Sequence, residues 1–232
     1  MTIATPAALP PVLPLAIPPK AVIFDCDGVI VDSEPPLFAE LQKDLAGRGL
    51  NLSQHELHER FVGGSVPGIG VAARKMGADI PDDWATVFYE RVYQVLAEHA
   101  PLVPGILDVL NALDARGIPY AIGSNGAPRK MQITLGQHPG LSARFKGLLS
   151  GQAIGAPKPA PDLYLAAAKL LNTPPDDCVV IEDSGTGARA AKAAGIRCYG
   201  YAPEGDGARL LAENAILFRD MRDLPRLLGL AG

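Results

Sequence analysis

The stretch AVIFDCDGVIVDSE, residues 21–34, sets the problem: a short apolar run, Ala21-Val22-Ile23-Phe24, stops abruptly at Asp25-Cys26-Asp27-Gly28. An unbroken apolar run of this length suits a strand buried on both faces, as in a parallel sheet. Two carboxylates one residue apart then stand where the strand meets a glycine turn. Side chains alternate along a strand, so Asp25 and Asp27 face one way and Cys26 the other, where it reads as packing.

Further along the chain, runs of the same kind fall at 120–123, 145–149, 178–181 and 198–201, with a sixth at 215–218. Helical patterns lie between most of them. GILDVLNALDARG (105–117) sets Ile106, Leu107, Leu110 and Leu113 on one face and stops at Gly117; PDLYLAAAKLLN (161–172) does the same with Leu163, Leu165, Ala166, Lys169 and Leu170. Strand and helix alternating at this spacing predict an α/β fold, a Rossmann-like parallel sheet with helices on both faces, whose ligands bind at the carboxyl ends of the strands. The alternation lapses between residues 34 and 103. There the pattern is helical throughout, over 37–45, 54–61, 66–76 and a long segment with Trp84, Phe88, Val92, Val95 and Leu96 on one side. The expectation is a small inserted helical cap domain at 34–103, a core of 20–33 and 104–232, and a proline-rich arm at 1–19. Pro35, Pro36, Pro101 and Pro104 mark the two linkers.

The chain has 232 residues, 48% hydrophobic and 20% charged, enough for one large core with an appended subdomain. A net charge of -4 gives no broad attraction for nucleic acid or an anionic membrane, so an anionic substrate must be held locally. Cys26, Cys178 and Cys198 lack metal-ligand spacing and read as reduced core residues of a cytoplasmic protein. The arm, PAALPPVLPLAIPP, is too crowded with proline for a secretory or spanning helix, and is expected to be extended and mobile.

Taken in order, the strand ends read Asp25-Cys26-Asp27-Gly28, Gly123-Ser124-Asn125-Gly126 and Ile181-Glu182-Asp183-Ser184-Gly185, with Lys158-Pro159 preceding a helix. All would meet at one sheet edge. Four acids there repel one another unless a cation sits among them, and oxygen-only ligands fit Mg2+, which completes its shell with water and phosphate oxygens. No histidine or cysteine cluster favours zinc. Gly28 would let the backbone, with its own amide, approach a phosphoryl oxygen. Pro159 disfavours helix at Lys158 and leaves it in an extended loop from which it can reach inward.

The ordered set FDCDGVIVDSE, SN, KP and VIEDSGTGARAAKAAG resembles the haloacid dehalogenase superfamily, in the branch of phosphatases and β-phosphoglucomutase-like enzymes with a helical cap after the first strand. The resemblance runs from Lys20 to the C-terminus. It implies that Asp25 is a nucleophile forming an aspartyl-phosphate, and that Asp27 is the general acid and then the base. It further implies phosphate binding by Gly28, Ser124, Asn125 and Lys158, and Mg2+ binding among Asp25, Asp27, Glu182 and Asp183. The expected enzyme is a monomeric, cytoplasmic, Mg2+-dependent phosphatase of a small phosphate ester. DSE after the first motif resembles sugar phosphatases, so a sugar or sugar-acid phosphate is the expected substrate.

Other readings compete. Gly185-Thr186-Gly187-Ala188-Arg189-Ala190 fits the dinucleotide-binding fingerprint, with Glu204 about 20 residues on, but Glu182 and Asp183 directly before it would repel a pyrophosphate. Ser184 and Thr186 read instead as helix caps. A dehalogenase would lack Asp27, and a phosphonatase would need an inward cap lysine that Lys75 does not promise. A sugar phosphomutase resembling this chain would carry a histidine after the first motif and an arginine in the cap loop. Here EPPLFAEL (34–41) has no histidine and GGSVPGIG (63–70) has no basic residue, which favours hydrolysis. Gly64 and Ser65 in that loop are the candidates for contact with the organic part of the substrate; Arg60, Arg74 and Arg91 are further cap cations with no ligand role assigned.

Overall fold

In the computed structural model, which describes residues 13–61 and 65–230, strand β1 (Ala21–Phe24) is buried along its whole length. Val22 and Phe24 pack into one apolar cluster, and Ala21 and Ile23 into another on the opposite face. The run is apolar throughout because helices cover both faces of the sheet.

After β1 come α1 (Glu34–Gly47), α2 (Gln54–Phe61), α3 (Val66–Lys75) and α4 (Trp84–Glu98) with no strand between them. Alternation then resumes with α5 (Ile106–Ala115), β2 (Tyr120–Ser124), α6 (Pro128–Gly136), α7 (Leu141–Arg144), β3 (Leu148–Ser150), α8 (Gly151–Ile154) and α9 (Asp162–Leu170). It ends with β4 (Cys178–Glu182), α10 (Gly185–Ala193), β5 (Arg197–Tyr201), α11 (Ala208–Leu211), β6 (Ile216–Phe218) and α12 (Leu224–Leu227). Among the described residues the strands form one parallel sheet in the order β3-β2-β1-β4-β5-β6. The order turns back at β1, which lies between β2 and β4. Such a switch point opens a crevice at the carboxyl ends of the strands. Register sets Phe24 opposite both Ile122 and Ile181, so Asp25, Ser124 and Glu182 emerge at one edge.

Several details differ from the sequence reading. The third strand lies at Leu148–Ser150, not 145–149; Phe145 instead reaches the core from the preceding loop and packs edge-on to Phe24 and Tyr120. On α5 the buried face is Ile106, Val109, Leu110 and Leu113, while Leu107 is exposed. On α9 the face turned to the sheet is Leu163, Tyr164, Ala167 and Ala168, with Leu165 and Leu170 outside. Small residues win there because they let α9 sit close enough for the Tyr164 hydroxyl to reach the strand ends. Pro35 and Pro36 open the first turn of α1 rather than standing before it, where missing amides cost nothing.

Helices α1 and α4 are tied together at Asp44, a buried carboxylate that accepts from the Trp84 indole at 2.6 Å, from Arg48 at 2.9 Å and from Arg91. The two chain segments joining them to the sheet run side by side: the Asp32 amide donates to Pro101 O at 2.8 Å, and that of Val103 to Ile30 O at 3.0 Å. Of the N-terminal arm, residues 1–12 lie outside the described residues. Leu15 is held, its amide donating to Leu227 O at 2.9 Å. No helix among the described residues is long and apolar enough to cross a membrane.

Candidate active site

Lys158 is the hub. Its side chain is almost fully buried, and its ammonium donates to Asp25 Oδ1 and, at 2.7 Å, to Glu182 Oε1, while lying 4.8 Å above the Tyr164 ring. An ammonium removed from water needs such partners, and two carboxylates supply them. Asn125 fixes the loop that presents it: Oδ1 accepts from the Lys158 amide at 2.8 Å and Nδ2 donates to the Lys158 carbonyl at 3.2 Å. Asn125 therefore braces the lysine with both ends of its amide. Ser124, buried at the end of β2, accepts from the Gly126 amide at 3.0 Å.

Glu182 is fully engaged. Oε1 accepts from Lys158 and from the Tyr164 hydroxyl at 3.0 Å; Oε2 accepts from the Ser184 amide at 2.7 Å and its hydroxyl at 2.8 Å. Burial alone would raise this carboxyl, but Lys158 and Ser184 outweigh it and hold Glu182 below the ordinary range. The carboxylate also accounts for the glycine fingerprint: a Cβ on Gly187 would sit 1.6 Å from Glu182 Oε1. The glycine admits an internal acid at the start of α10, where a dinucleotide reading needs room for a pyrophosphate. Ser184 caps that helix, its hydroxyl accepting from the Gly187 amide at 3.0 Å.

Asp25 and Asp183 behave differently. Burial pushes Asp25 up to about 7, with Glu182 and Asp27 adding to the rise and Lys158 opposing it. Asp183 is raised well above the carboxylate range by burial and then by Glu182, Asp25 and Glu34. Among the described residues no side chain bonds to it. Burial disfavours the charge on both acids, and their hard oxygen donors are of the kind that fits a divalent ion such as Mg2+. No group of three or more acidic, histidine or cysteine side chains among the described residues is arranged to hold a metal ion by itself. Gly28, at φ +76°, lets Asp183 approach, since a Cβ there would lie 2.1 Å from Asp183 Oδ2. Its amide donates to Val31 O at 2.8 Å, which corrects the expectation that it faces a phosphoryl oxygen.

Asp27 keeps company the sequence reading missed. Its Oδ1 accepts from Ser33 Oγ at 2.6 Å and lies 2.7 Å from the Lys130 ammonium. Burial pushes this carboxyl up, but Lys130 and Ser33 prevail and hold it below its usual value. Ser33 follows Asp27 by six residues, and Lys130 follows Ser124 by six, in the first turn of α6 beyond the same sheet edge; neither spacing is distinctive by itself. Cys26 points into the core with Val22 and Phe24, and burial raises its thiol well above the ordinary value. Of the other candidates, Gly64 lies outside the described residues, and Ser65 caps α3, accepting from the Gly68 amide at 3.3 Å. Arg74 bonds Ile80 O and Asp82, Arg91 bonds Asp44, and Lys75 is exposed.

The parallel sheet, the switch-point crevice and a buried lysine between strand-end acids define an α/β protein with a charged site at the carboxyl ends of its strands. Residues 19–195 match the haloacid dehalogenase-like hydrolases, and the chain belongs to that family. It is similar to the phosphoglycolate phosphatase of Rhodospirillum rubrum, at 35% identity over 80% of this chain and 82% of that one. It is also similar to the phosphorylated carbohydrates phosphatase of Thermotoga maritima, at 30% identity over 85% of this chain and 92% of that one. The crystal structure of a haloacid dehalogenase family hydrolase from Deinococcus radiodurans, with phosphate and sodium bound, superposes with a TM-score of 0.78 at 33% identity, covering 92% of this chain and 97% of the other.

Proposed function

We propose that the protein is a Mg2+-dependent phosphatase that releases inorganic phosphate from a small phosphorylated sugar or sugar acid through an aspartyl-phosphate on Asp25. The observation that carries this is the buried Lys158 bridging Asp25 and Glu182, with Asp183, to which no side chain among the described residues bonds, beside them. Asp25 is the acid closest to the lysine and stands at the strand end where a phosphoryl group would enter. Lys158 neutralises charge as the carboxylate meets a phosphate dianion, and Ser124 and the glycine turn at Gly126 line the other side. Of the four expected metal ligands, Glu182 is taken up by Lys158, Tyr164 and Ser184; Mg2+ held by Asp25 and Asp183, with Asp27 beside them, would supply further neutralisation of the phosphoryl oxygens.

Asp25 attacks phosphorus and the ester oxygen leaves with a proton from Asp27; Asp27 then takes a proton from the water that cleaves the aspartyl-phosphate. The Lys130 and Ser33 contacts favour the ionised, base form of Asp27. An approaching dianion opposes that preference and favours the proton that the first half requires. Residues 34–103 act as the cap over the core of 20–33 and 104–232, and supply the contacts that choose the substrate.

The names borne by the relatives support a phosphorylated carbohydrate or small acid as the substrate class. Hydrolysis is favoured over isomerisation because the first turns of α1 carry no histidine, and the cap cations Arg74 and Arg91 are tied to Ile80, Asp82 and Asp44. A panel of phosphorylated metabolites, assayed for released phosphate with Mg2+ and with EDTA, tests the reading. Release from sugar or sugar-acid phosphates only with the metal is expected. Full activity in EDTA, or conversion to a positional isomer faster than release seen by phosphorus NMR, contradicts it.

A further inference from the structure

Lys130 touches neither Asp25 nor Lys158, yet among the described residues it is the cation paired to Asp27. We propose that Lys130 is a positioning residue for Asp27: with Ser33 it holds Oδ1, so that Oδ2 is the oxygen turned to the leaving group and then to water. The inference rests on Asp27 acting as acid and base.

The geometry separates the two oxygens. Ser33 Oγ and Lys130 Nζ both reach Oδ1, at 2.6 and 2.7 Å. Oδ2 lies toward Gly126: a Cβ built there would stand 3.6 Å from Asp27 Oδ2, 3.2 Å from Ser124 Oγ and 3.9 Å from Lys130 Cδ. Asp27, Ser124 and Lys130 thus converge on a single glycine, whose lack of a side chain keeps the space between them open. The pair is at the mouth of the site and not sealed within it, with side-chain exposures of 18% for Lys130 and 30% for Asp27.

The lysine's backbone is well anchored. Its neighbour Arg129 makes a two-pronged pair with Glu90 of α4, at 2.5 and 2.9 Å, and lies 4.9 Å over the Tyr93 ring. Met131 and Leu135 are buried in the core from the same helix. Ser33 comes from the segment leading into α1. Asp27 is therefore gripped from two directions, by α6 and by the start of the inserted helices.

The proton balance leaves Lys130 unchanged. In the first half, Oδ2–H gives its proton to the ester oxygen as that oxygen's bond to phosphorus breaks and the Asp25–phosphorus bond forms. In the second, Oδ2 takes a proton from water as the water oxygen bonds phosphorus and the Asp25–phosphorus bond breaks. Lys130 gives up no proton in either half; it fixes the rotation of the carboxyl.

A lysine that served the fold alone would change stability and leave the kcat of the folded enzyme, and its dependence on Asp27, untouched. The test compares Lys130→Met and Lys130→Arg, each in the wild-type and Asp27→Asn backgrounds, on a sugar phosphate and on nitrophenyl phosphate. For Lys130→Met, kcat on the sugar phosphate is expected to fall about 10- to 100-fold, a part of what a general acid supplies, while KM moves less than about threefold. The initial burst of nitrophenol is expected to survive, and Lys130→Arg to recover most of the loss. In the Asp27→Asn background, Lys130→Met should add nothing, because the two act as one unit. Unchanged kcat in Lys130→Met, a loss confined to KM, or an equal further loss in the Asp27→Asn background overturns the proposal. If Asp27→Asn harms both substrates alike, the acid–base reading itself falls and takes the proposal with it.

Discussion

Replacing Glu182 by glutamine separates a strut from a metal ligand. The carboxylate accepts four hydrogen bonds, from Lys158 at 2.7 Å, the Tyr164 hydroxyl at 3.0 Å, and the Ser184 amide and hydroxyl at 2.7 and 2.8 Å. A glutamine presents one oxygen to these donors and turns an NH2 group on the remainder, either at Lys158 and Tyr164 or at Ser184. Breaking a buried ion pair from one side costs about 3–5 kcal/mol. The amide still accepts from one side, and repulsion on Asp25 and Asp183 is relieved, so the lower end, about 3 kcal/mol, is the expected loss. At about 2–4 °C per kcal/mol for a chain of this size, the thermal midpoint should drop by about 6–12 °C. The assay is calorimetry or circular dichroism in EDTA. If Glu182 chiefly served a metal, removing its charge would leave the metal-free protein as stable as before or more so. A midpoint in EDTA equal to or above that of the wild type would refute the strut argument.

Three other outcomes are expected. Asp25→Asn should reduce phosphate release by about a thousandfold or more, the scale of a lost nucleophile, with the fold intact by circular dichroism. Burial pushes Asp25 up to about 7 in the folded chain, above the ordinary carboxylate range, so the native state binds the extra proton and metal-free stability should fall as pH rises from that range to about 7. Asp183, also raised, acts in the same direction; thermal midpoints in EDTA should be higher at the acidic end of that window, and a flat profile would refute the reading. Gly187→Ala should unfold or grossly weaken the protein, because its Cβ would fall 1.6 Å from Glu182 Oε1, and soluble expression at wild-type level with an unchanged thermal midpoint would contradict that.

The strands and the core acids were legible because their signals are local. Ala21–Phe24 and Cys178–Glu182 are unbroken apolar runs that can only be covered on both faces, and each ends in the acids of the site. Helix faces were read less well, since α9 turns Tyr164, Ala167 and Ala168 inward and leaves Leu165 and Leu170 outside. Hydrophobicity favoured the leucines; close approach to the sheet and a hydroxyl reaching Glu182 decided otherwise. The fingerprint at Gly185–Ala190 illustrates the same limit. Its glycine spacing is real, but what fills the space, the Glu182 carboxylate, is set by tertiary geometry. Lys130 and Ser33 were missed because each is an ordinary residue in sequence, and only the meeting of α6, the β1 turn and the entry to α1 brings them to one oxygen of Asp27.

The central claim is that Asp25 carries the phosphoryl group on its way to water. Acid quenching of the protein during turnover of a sugar phosphate with Mg2+, followed by peptide mass spectrometry, reads this directly. The account predicts a phosphorylated peptide containing Asp25, formed and consumed at rates that match phosphate release, and absent from Asp25→Asn. Steady phosphate release with no phosphorylated peptide at any time, or with the phosphoryl group on another residue, would contradict it.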